Sequence, residues 1–258
     1  MIAKAVIKHN FSRYARHYDR YARIQQRTGD ALLTHITGQS FGRILDMGCG
    51  TGQLTYALQR QFPRAVIHAL DICPDMLAVA RDKPFAHTIE FMAADVECAE
   101  LNGPYDLIVS NATFQWLSDM QAMMTRCRSC LGSDGRLLFS LFGPDTYREL
   151  AEVVAEVWQA TITAASAFRL DENSTAALLG QHFNEVSVDR QCIQTSYPDL
   201  LTLLRTIKYT GTQGEGLSGR TLLRRDIHAL ETVYRQRYGA ITATHEIITA
   251  QARKAKTA

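Results

Sequence analysis

The feature that most constrains the fold of this chain is a regular alternation of short and long segments between residues 43 and 142. The short segments are rich in β-branched residues and leucine, and the longer ones place apolar residues at helical spacing. This alternation is typical of a parallel sheet with helices on both faces. The predicted strands are 43–47, 65–71, 89–94, 105–110 and 135–142, with helices over 53–62, 74–82 and 119–131.

The segments on either side extend this core. Residues 11–37 carry apolar and aromatic side chains at helical spacing, which predicts a helical segment across the open edge of the sheet. Further helices are expected over 145–160 and 174–182, and the alternating segments 185–196 and 240–252 predict two paired antiparallel strands. Between those strands, residues 198–238 would form a helical insertion above the carboxyl ends of the sheet.

A chain of 258 residues, 46% of them hydrophobic, has the size of one globular domain. We therefore predict a single α/β domain with a doubly wound, mostly parallel seven-stranded sheet. Its expected parts are an N-terminal helical cap (1–40), a cofactor-binding core (41–143), helices with an edge strand (144–197), the helical insertion (198–239) and the last strand (240–252).

Composition argues against several classes of protein. The chain has 28 Lys and Arg residues and 26 Asp and Glu residues, and this positive surplus is too small to indicate a nucleic-acid or membrane surface. The six cysteines lack the paired spacing of a zinc site or a disulfide framework, so we expect free thiols and no metal. No signal-peptide core and no run of roughly 20 apolar residues is found, which predicts a soluble cytoplasmic protein, and we expect a monomer.

The segment Asp46-Met47-Gly48-Cys49-Gly50-Thr51-Gly52 follows the first predicted strand and precedes a helix. Its glycines fall where the backbone must turn sharply and let a ligand approach closely. A dinucleotide-binding loop would use the spacing G-x-G-x-x-G and direct a helix N-terminus at pyrophosphate. Here the spacing differs and an acid precedes the glycines, which favours a cationic ligand.

S-adenosylmethionine is such a ligand, because it carries an amino group and a sulfonium but no phosphate. Asp46 would lie near its amino group, and the glycines would admit its methionine part. Asp71 ends the next strand, 19 residues after Gly52, where a carboxylate can accept both ribose hydroxyls. Asp95 with Val96 would bind the adenine, and Ile72 and Met76 would enclose its ring, although an acid at a strand end can also be a simple turn cap.

Together these residues resemble the class I S-adenosylmethionine-dependent methyltransferases, which have a Rossmann-like fold, over residues 43–142. The resemblance implies contacts between the cofactor and Asp46, Gly48, Gly50, Gly52, Asp71 and Asp95. Cys49, Ile72, Met76 and Val96 are also expected to line the cofactor site. The resemblance also implies that Asn111 and Ala112, after the fourth strand, lie beside the methionine part and the sulfonium.

A narrower resemblance extends over nearly the whole chain, to the malonyl-acyl-carrier-protein O-methyltransferases of biotin synthesis. It rests on Phe11-Ser12, Tyr18-Asp19-Arg20-Tyr21-Ala22 with Gln25, Asn111-Ala112-Thr113-Phe114-Gln115-Trp116, Phe142-Gly143-Pro144-Asp145-Thr146, and a helical segment with Lys208, Thr210 and Gly211. Thr212-Gln213 departs from the pattern. The resemblance implies methylation of the free malonyl carboxylate, giving the ester that primes pimeloyl synthesis. That carboxylate is already ionised, so no catalytic base is expected.

Binding of malonyl-acyl-carrier protein would need apolar walls, hydrogen-bond donors and a cation. The candidate walls are Tyr18, Phe114 and Trp116, with Gln25 or Tyr18 as donors, although Trp116 could equally be a core residue. The cation would be Lys208 or Arg148. A basic surface for the acidic carrier is predicted at Arg205, Arg220, Arg224 and Arg225, unless these only form a solvated face balanced by Asp226 and Glu231.

Other functions remain compatible with the same core. The acceptor could be another small carboxylate such as an aconitate-like diacid, or a phenolic or quinone precursor. A non-catalytic module that binds S-adenosylmethionine is a further alternative. A nucleic-acid methyltransferase is disfavoured, because Ser110-Asn111-Ala112-Thr113 stands where an Asn-Pro-Pro-Tyr loop for a flipped base would lie.

Overall fold

The structure is a computed structural model that describes residues 3–84, 88–162, 170–212 and 223–254. Its described strands form one seven-stranded sheet in the order β3-β2-β1-β4-β5-β7-β6. The strands are β1 (Arg43–Met47), β2 (Val66–Asp71), β3 (Ile89–Ala93), β4 (Tyr105–Asn111), β5 (Leu131–Phe142), β6 (Glu185–Tyr197) and β7 (Ile241–Arg253). The predicted α/β fold is confirmed, and the predicted strand ends agree closely except that β5 begins at Leu131.

Parallel pairing in the first five strands brings their carboxyl ends to one edge of the sheet. β1 lies between β2 and β4, with Asp46 level with Ala69 and Val109. The strand order reverses here, and folds of this kind bind ligands at such a point. β7 is antiparallel to both β5 and β6 and lies between them, so the predicted antiparallel pair is also present.

The described helices cover both faces of the sheet. They are α1 (Lys4–Tyr21), α2 (Arg23–Thr34), α3 (Gln53–Gln61), α4 (Pro74–Arg81), α5 (Met120–Cys130), α6 (Arg148–Trp158), α7 (Glu172–Gly180), α8 (Leu200–Tyr209) and α9 (Arg224–Tyr238). The predicted N-terminal segment is two helices that meet at Ala22. The helix predicted from residue 145 begins only at Arg148, because Tyr147 before it has a left-handed backbone with φ 61°.

Apolar side chains fill separate cores around this sheet. Leu45 and Met47 of β1 face a core that they share with α5 and α7, whereas Ile44 faces a second core beneath α2 and α3. Apolar burial of this kind contributes most of the stability of a domain of this size. All six cysteines are free, as predicted.

The helical insertion between β6 and β7 contributes α8 and α9. α8 packs against α1, and α9 packs against α6. The ring of Phe11 lies so close to Gly211 that a Cβ there would come within 2.7 Å of it. The insertion therefore closes on the N-terminal helix, near the carboxyl edge of the sheet. Residues 213–222 of the insertion lie outside the described residues.

The described part of the chain has neither a membrane-spanning helix nor a cluster of metal-binding side chains. None of its helices is long and apolar enough to cross a membrane. Its His, Cys, Asp and Glu side chains form no cluster that could hold a metal ion.

Candidate active site

The glycine loop between β1 and α3 depends on left-handed backbone at Gly48, Gly50 and Gly52, with φ of 75°, 55° and 79°. A Cβ at Gly48 would lie 2.3 Å from the side chain of Thr113, so this glycine is required for close packing. A Cβ at Gly50 would meet no atom within 4 Å. The Gly50 backbone therefore faces open space, as expected where a ligand approaches the main chain.

Two buried carboxylates flank this loop. Asp71 accepts hydrogen bonds from the backbone N–H groups of Gly50 and Cys73, both at 2.8 Å. Asp46 is 1% exposed and accepts a bond of 2.6 Å from the Thr55 hydroxyl. Burial raises the pKa of Asp46 to about 7 and that of Asp71 to about 6. Within the described residues neither has a cationic partner, so a ligand with a positive charge or hydroxyl donors would satisfy them.

Two adjoining cavities open at the loop and share Tyr18, Gly48, Gly50 and Asn111. The first, of about 100 Å³, is mainly apolar and also contains Asp71 and Asp95. The second, of about 250 Å³, has a mixed polar and apolar lining and contains Asp46 and Cys49. Of the predicted cofactor residues, the first cavity is lined by Gly48, Gly50, Asp71, Ile72, Met76, Asp95, Val96, Asn111 and Ala112.

Gly52 is the predicted cofactor residue that lines neither cavity. Its Cβ position faces Tyr56 and Ala80 at 3.0 and 3.2 Å, and the residue caps the N-terminus of α3. A glycine is needed at position 52 because of the left-handed turn and the close packing between α3 and α4. The structure thus places it beside the loop without a cavity contact.

α1 lies over the cavities and is fastened near both of its ends. Near its start, Lys4 forms ion pairs with Asp95 and with Glu97, the latter at 2.5 Å. Near its end, Asp19 accepts a hydrogen bond of 2.5 Å from Thr51 and pairs with Lys83 at 2.9 Å. The carboxylate expected to bind adenine is therefore also the partner of a lysine.

Asn111, at the end of β4, is held in one orientation. Its Nδ2 donates to the Gln25 carbonyl at 2.8 Å, and its Oδ1 accepts from Thr28 and Ser140 at 2.8 and 2.7 Å. Ala112 follows with φ 51°, an unusual backbone for alanine. This fixed corner lies where the two cavities meet.

The predicted substrate residues divide into two groups. Tyr18 lines both cavities, Trp116 lines the first beside Phe11, with ring centroids 6.2 Å apart, and Gln25 lines the second. Phe114 lines neither cavity, because it is fully buried and packs on Phe139 at 4.8 Å. Phe114 is therefore a core residue, contrary to its predicted place in the wall.

The two candidate cations lie away from the cavities. Arg148 is half-exposed, 3.9 Å from Asp145 and 3.8 Å from Glu149. Lys208 is exposed on α8, with its ammonium 5.6 Å from the ring centre of Tyr14. Neither side chain is placed to meet an acceptor carboxylate at the cavities.

Three of the four predicted docking arginines belong to the described residues. Arg205 is exposed on α8, and Arg224 and Arg225 are exposed at the start of α9. Arg225 lies 3.8 Å from Asp226, as the alternative of a balanced face anticipated. Arg220 lies outside the described residues.

Several polar residues at this edge of the sheet were not predicted. Tyr147 is buried, and its phenol forms a hydrogen bond with Thr212. Burial raises the pKa of Tyr18, and the nearby Tyr147 adds to that rise. His245 packs against Tyr147 with ring centroids 5.1 Å apart, and burial lowers its pKa to about 4. Within the described residues neither of its ring nitrogens has a hydrogen-bond partner. The position of Tyr147 after the Gly-Pro-Asp-Thr turn is the one signal that could have singled it out.

Comparison with proteins of known structure supports the fold. The YcgJ protein of Bacillus subtilis superposes with a TM-score of 0.63 at 14% identity, covering 90% of this chain and 99% of that one. Phosphoethanolamine N-methyltransferase 2 of Haemonchus contortus, solved with S-adenosyl-L-methionine, gives a TM-score of 0.56 at 16% identity, covering 88% of this chain and 52% of that one. At these identities the likeness establishes the architecture alone.

Comparison of sequences is more specific. A family model described as a methyltransferase domain matches residues 44–135. The malonyl-acyl-carrier-protein O-methyltransferase 1 of Ilyobacter polytropus is 32% identical over 93% of this chain and 89% of that protein. The corresponding protein of Acetivibrio thermocellus is 45% identical over 58% of this chain, a match that spans 54% of the relative. The chain therefore belongs to the malonyl-acyl-carrier-protein O-methyltransferase family, within the class I methyltransferases.

Proposed function

We propose that this protein transfers a methyl group from S-adenosylmethionine to the free carboxylate of malonyl-acyl-carrier protein. The observation that carries the proposal is the pair of buried carboxylates, Asp46 and Asp71, on either side of a glycine loop that opens into two adjoining cavities. The names of the relatives that match nearly the whole chain supply the acceptor.

The cavities fit the parts of this cofactor. Asp46, in the second cavity, suits the amino group of the methionine part, because a nearby cation favours the ionised carboxylate. Asp71, beside the open backbone of Gly50, suits the ribose hydroxyls. Ile72, Met76 and Val96 give the first cavity apolar walls of the kind that an adenine ring needs. The sulfonium of the bound cofactor supplies an electrophilic methyl group.

The reaction requires the protein mainly to position the two reactants. One oxygen of the malonyl carboxylate forms the new bond to the methyl carbon as the carbon–sulfur bond breaks, and the electron pair of that bond remains on sulfur. No proton moves, so no base is required. The task of the site is to align the two reactants and to exclude water, which alone can supply much of a rate enhancement.

The acceptor side is built from aromatic rings and hydroxyl groups. Phe11, Tyr18 and Trp116 form its walls, and Lys4 is the only Lys or Arg of the described residues that lines the first cavity. Lys4 is engaged by Asp95 and Glu97. We therefore assign the acceptor carboxylate to neutral donors such as the Tyr18 phenol, close to Tyr147.

The product would be a malonyl methyl ester in which the charge of the carboxylate is masked. The family resemblance places such an ester at the start of pimeloyl synthesis, as the primer from which the biotin precursor is extended. A neutral end suits the apolar channels of fatty-acid enzymes, because burying a carboxylate without a partner is costly.

Mass spectrometry tests the proposal directly. Malonyl-loaded carrier protein, incubated with the enzyme and S-adenosylmethionine, should gain one methyl group at the free carboxylate. Asp71→Asn should reduce both cofactor binding and methyl transfer. If the wild-type protein binds the cofactor but leaves malonyl-carrier unchanged, the acceptor is wrong. Transfer to a free diacid instead would favour a methyltransferase of small carboxylates.

A further inference from the structure

The outer face of α1 carries an unusual concentration of positive charge. The helix contains five Lys and Arg residues but a single acid, Asp19. Asp19 is turned towards the glycine loop, where it contacts Thr51 and Lys83. Arg13, Arg16 and Arg20, at i, i+3 and i+7, are exposed on the side of the helix that faces away from the cavities.

α8 adds a fourth cation to this face. The charged groups of Arg13 and Lys208 are 5.7 and 5.6 Å from the centre of the Tyr14 ring. Tyr14 and Tyr21 both pack on Tyr209, with ring centroids 4.9 and 4.5 Å apart. Aromatic contacts therefore fix the two helices together, and the cations stand in a defined arrangement. We call Arg13, Arg16, Arg20 and Lys208 the α1 basic face.

These four cations differ in their charge partners from most of the arginines on α9. Within the described residues none of the four forms an ion pair. On α9, by contrast, three of the four arginines, Arg225, Arg235 and Arg237, lie within 4 Å of a carboxylate, and only Arg224 forms no ion pair among the described residues. Unpaired like charges held close together repel one another, so such a face gains from an anionic partner. The structure thus favours α1 over α9 as a surface for an acidic protein.

We propose that the α1 basic face is the docking surface for the acidic acyl-carrier protein. The inference rests on the proposed function, since it assumes a carrier-bound acceptor, and it replaces α9 with α1 as the principal contact. The same helix lines the first cavity through Ile7, Phe11 and Tyr18 on its opposite side. One helix, about 10 Å thick, therefore separates the carrier from the site. An extended pantetheine arm is longer than this thickness and can pass around it.

Charge reversal tests the surface without touching the cavities. Arg16→Glu combined with Arg20→Glu should lower kcat/KM for malonyl-acyl-carrier protein by about tenfold or more at low salt, since electrostatic steering alone changes association rates by this much. The same variant should change kcat/KM for malonyl-pantetheine by less than twofold. Added salt should reduce the difference between variant and wild type, because the charges are exposed.

A matched control changes the net charge equally at the opposite edge of the sheet. Arg64, before β2, and Arg128, near the end of α5, are both exposed. Arg64→Glu with Arg128→Glu should leave both substrates nearly unaffected. The docking surface would be refuted if the α1 variant lost equal kcat/KM on malonyl-acyl-carrier protein and on malonyl-pantetheine. It would also be refuted if the α1 variant and the control variant lost equal kcat/KM on malonyl-acyl-carrier protein. Binding of the wild type to anionic phospholipid vesicles but not to the carrier would refute it as well. Wild-type inactivity on both malonyl thioesters would instead refute the proposed function.

Discussion

Replacing Gly50 by alanine separates the ligand-binding role of the glycine loop from its folding role. Gly50 has φ 55°, and its added Cβ would meet no protein atom within 4 Å. The left-handed backbone should cost alanine about 1–2 kcal/mol of stability. In the presence of the methyl donor the new methyl group would occupy space that the ligand needs. Forcing such an overlap typically costs about 1–3 kcal/mol, or about 5- to 150-fold in Kd.

Gly239 provides a matched control for the backbone strain. It has φ 74°, ends α9, and also has no atom within 4 Å of its Cβ position. Gly239→Ala should therefore lower the unfolding free energy by a similar amount and leave cofactor affinity unchanged. Thermal unfolding measures the first quantity, and titration calorimetry with S-adenosylmethionine measures the second. Wild-type affinity in Gly50→Ala would refute the assignment of this loop to the methyl donor.

Three further changes test other parts of the site. A cation near Asp46 needs the ionised carboxylate, and the pKa of that carboxylate is raised to about 7. Methyl-donor binding should therefore be about tenfold weaker at pH 6 than at pH 8 and should release protons, as calorimetry in two buffers would show. An affinity that is independent of pH would contradict this. Arg148→Ala should change KM for malonyl-pantetheine by less than twofold in steady-state assays, because Arg148 lies outside both cavities; a tenfold rise would restore it as the substrate cation. Phe114→Ala should cost about 3–5 kcal/mol in denaturant unfolding, as expected for a core cavity; a loss below 1 kcal/mol would contradict its core role.

The central fold could be predicted because its segments follow strong local rules. β1 and the start of α3 agree with prediction to the residue, since a buried strand, three glycines and an amphipathic helix leave few alternatives. The start of α6 could not be predicted in this way. Tyr147 takes a left-handed backbone whose amide donates to Thr244, a residue of distant β7. Only the folded chain brings these two segments together.

The site shows the same division between local and distant information. The place of Asp46 and Asp71 at the carboxyl edge of the sheet could be predicted, because Asp71 ends β2 and Asp46 is the last residue but one of β1. The ion pair between Lys4 and Asp95 joins residues 91 positions apart, and no pattern near either residue indicates it. Phe114 and Trp116 lie two residues apart in a short 3₁₀ turn, which directs one ring into the core and the other towards the cavity. Composition alone does not distinguish them.

The ion pairs near both ends of α1 imply an order of events in catalysis. α1 lies across the cavities, so we expect the methyl donor to enter more readily when one of these ends separates from the body of the protein. A carrier protein bound along the outside of the helix would hold it in place and oppose that separation. We therefore expect a compulsory sequence in which the methyl donor binds first and the spent cofactor leaves last. Inhibition by S-adenosylhomocysteine should accordingly be competitive with the methyl donor and non-competitive with the carrier, and the reverse pattern would exclude this sequence.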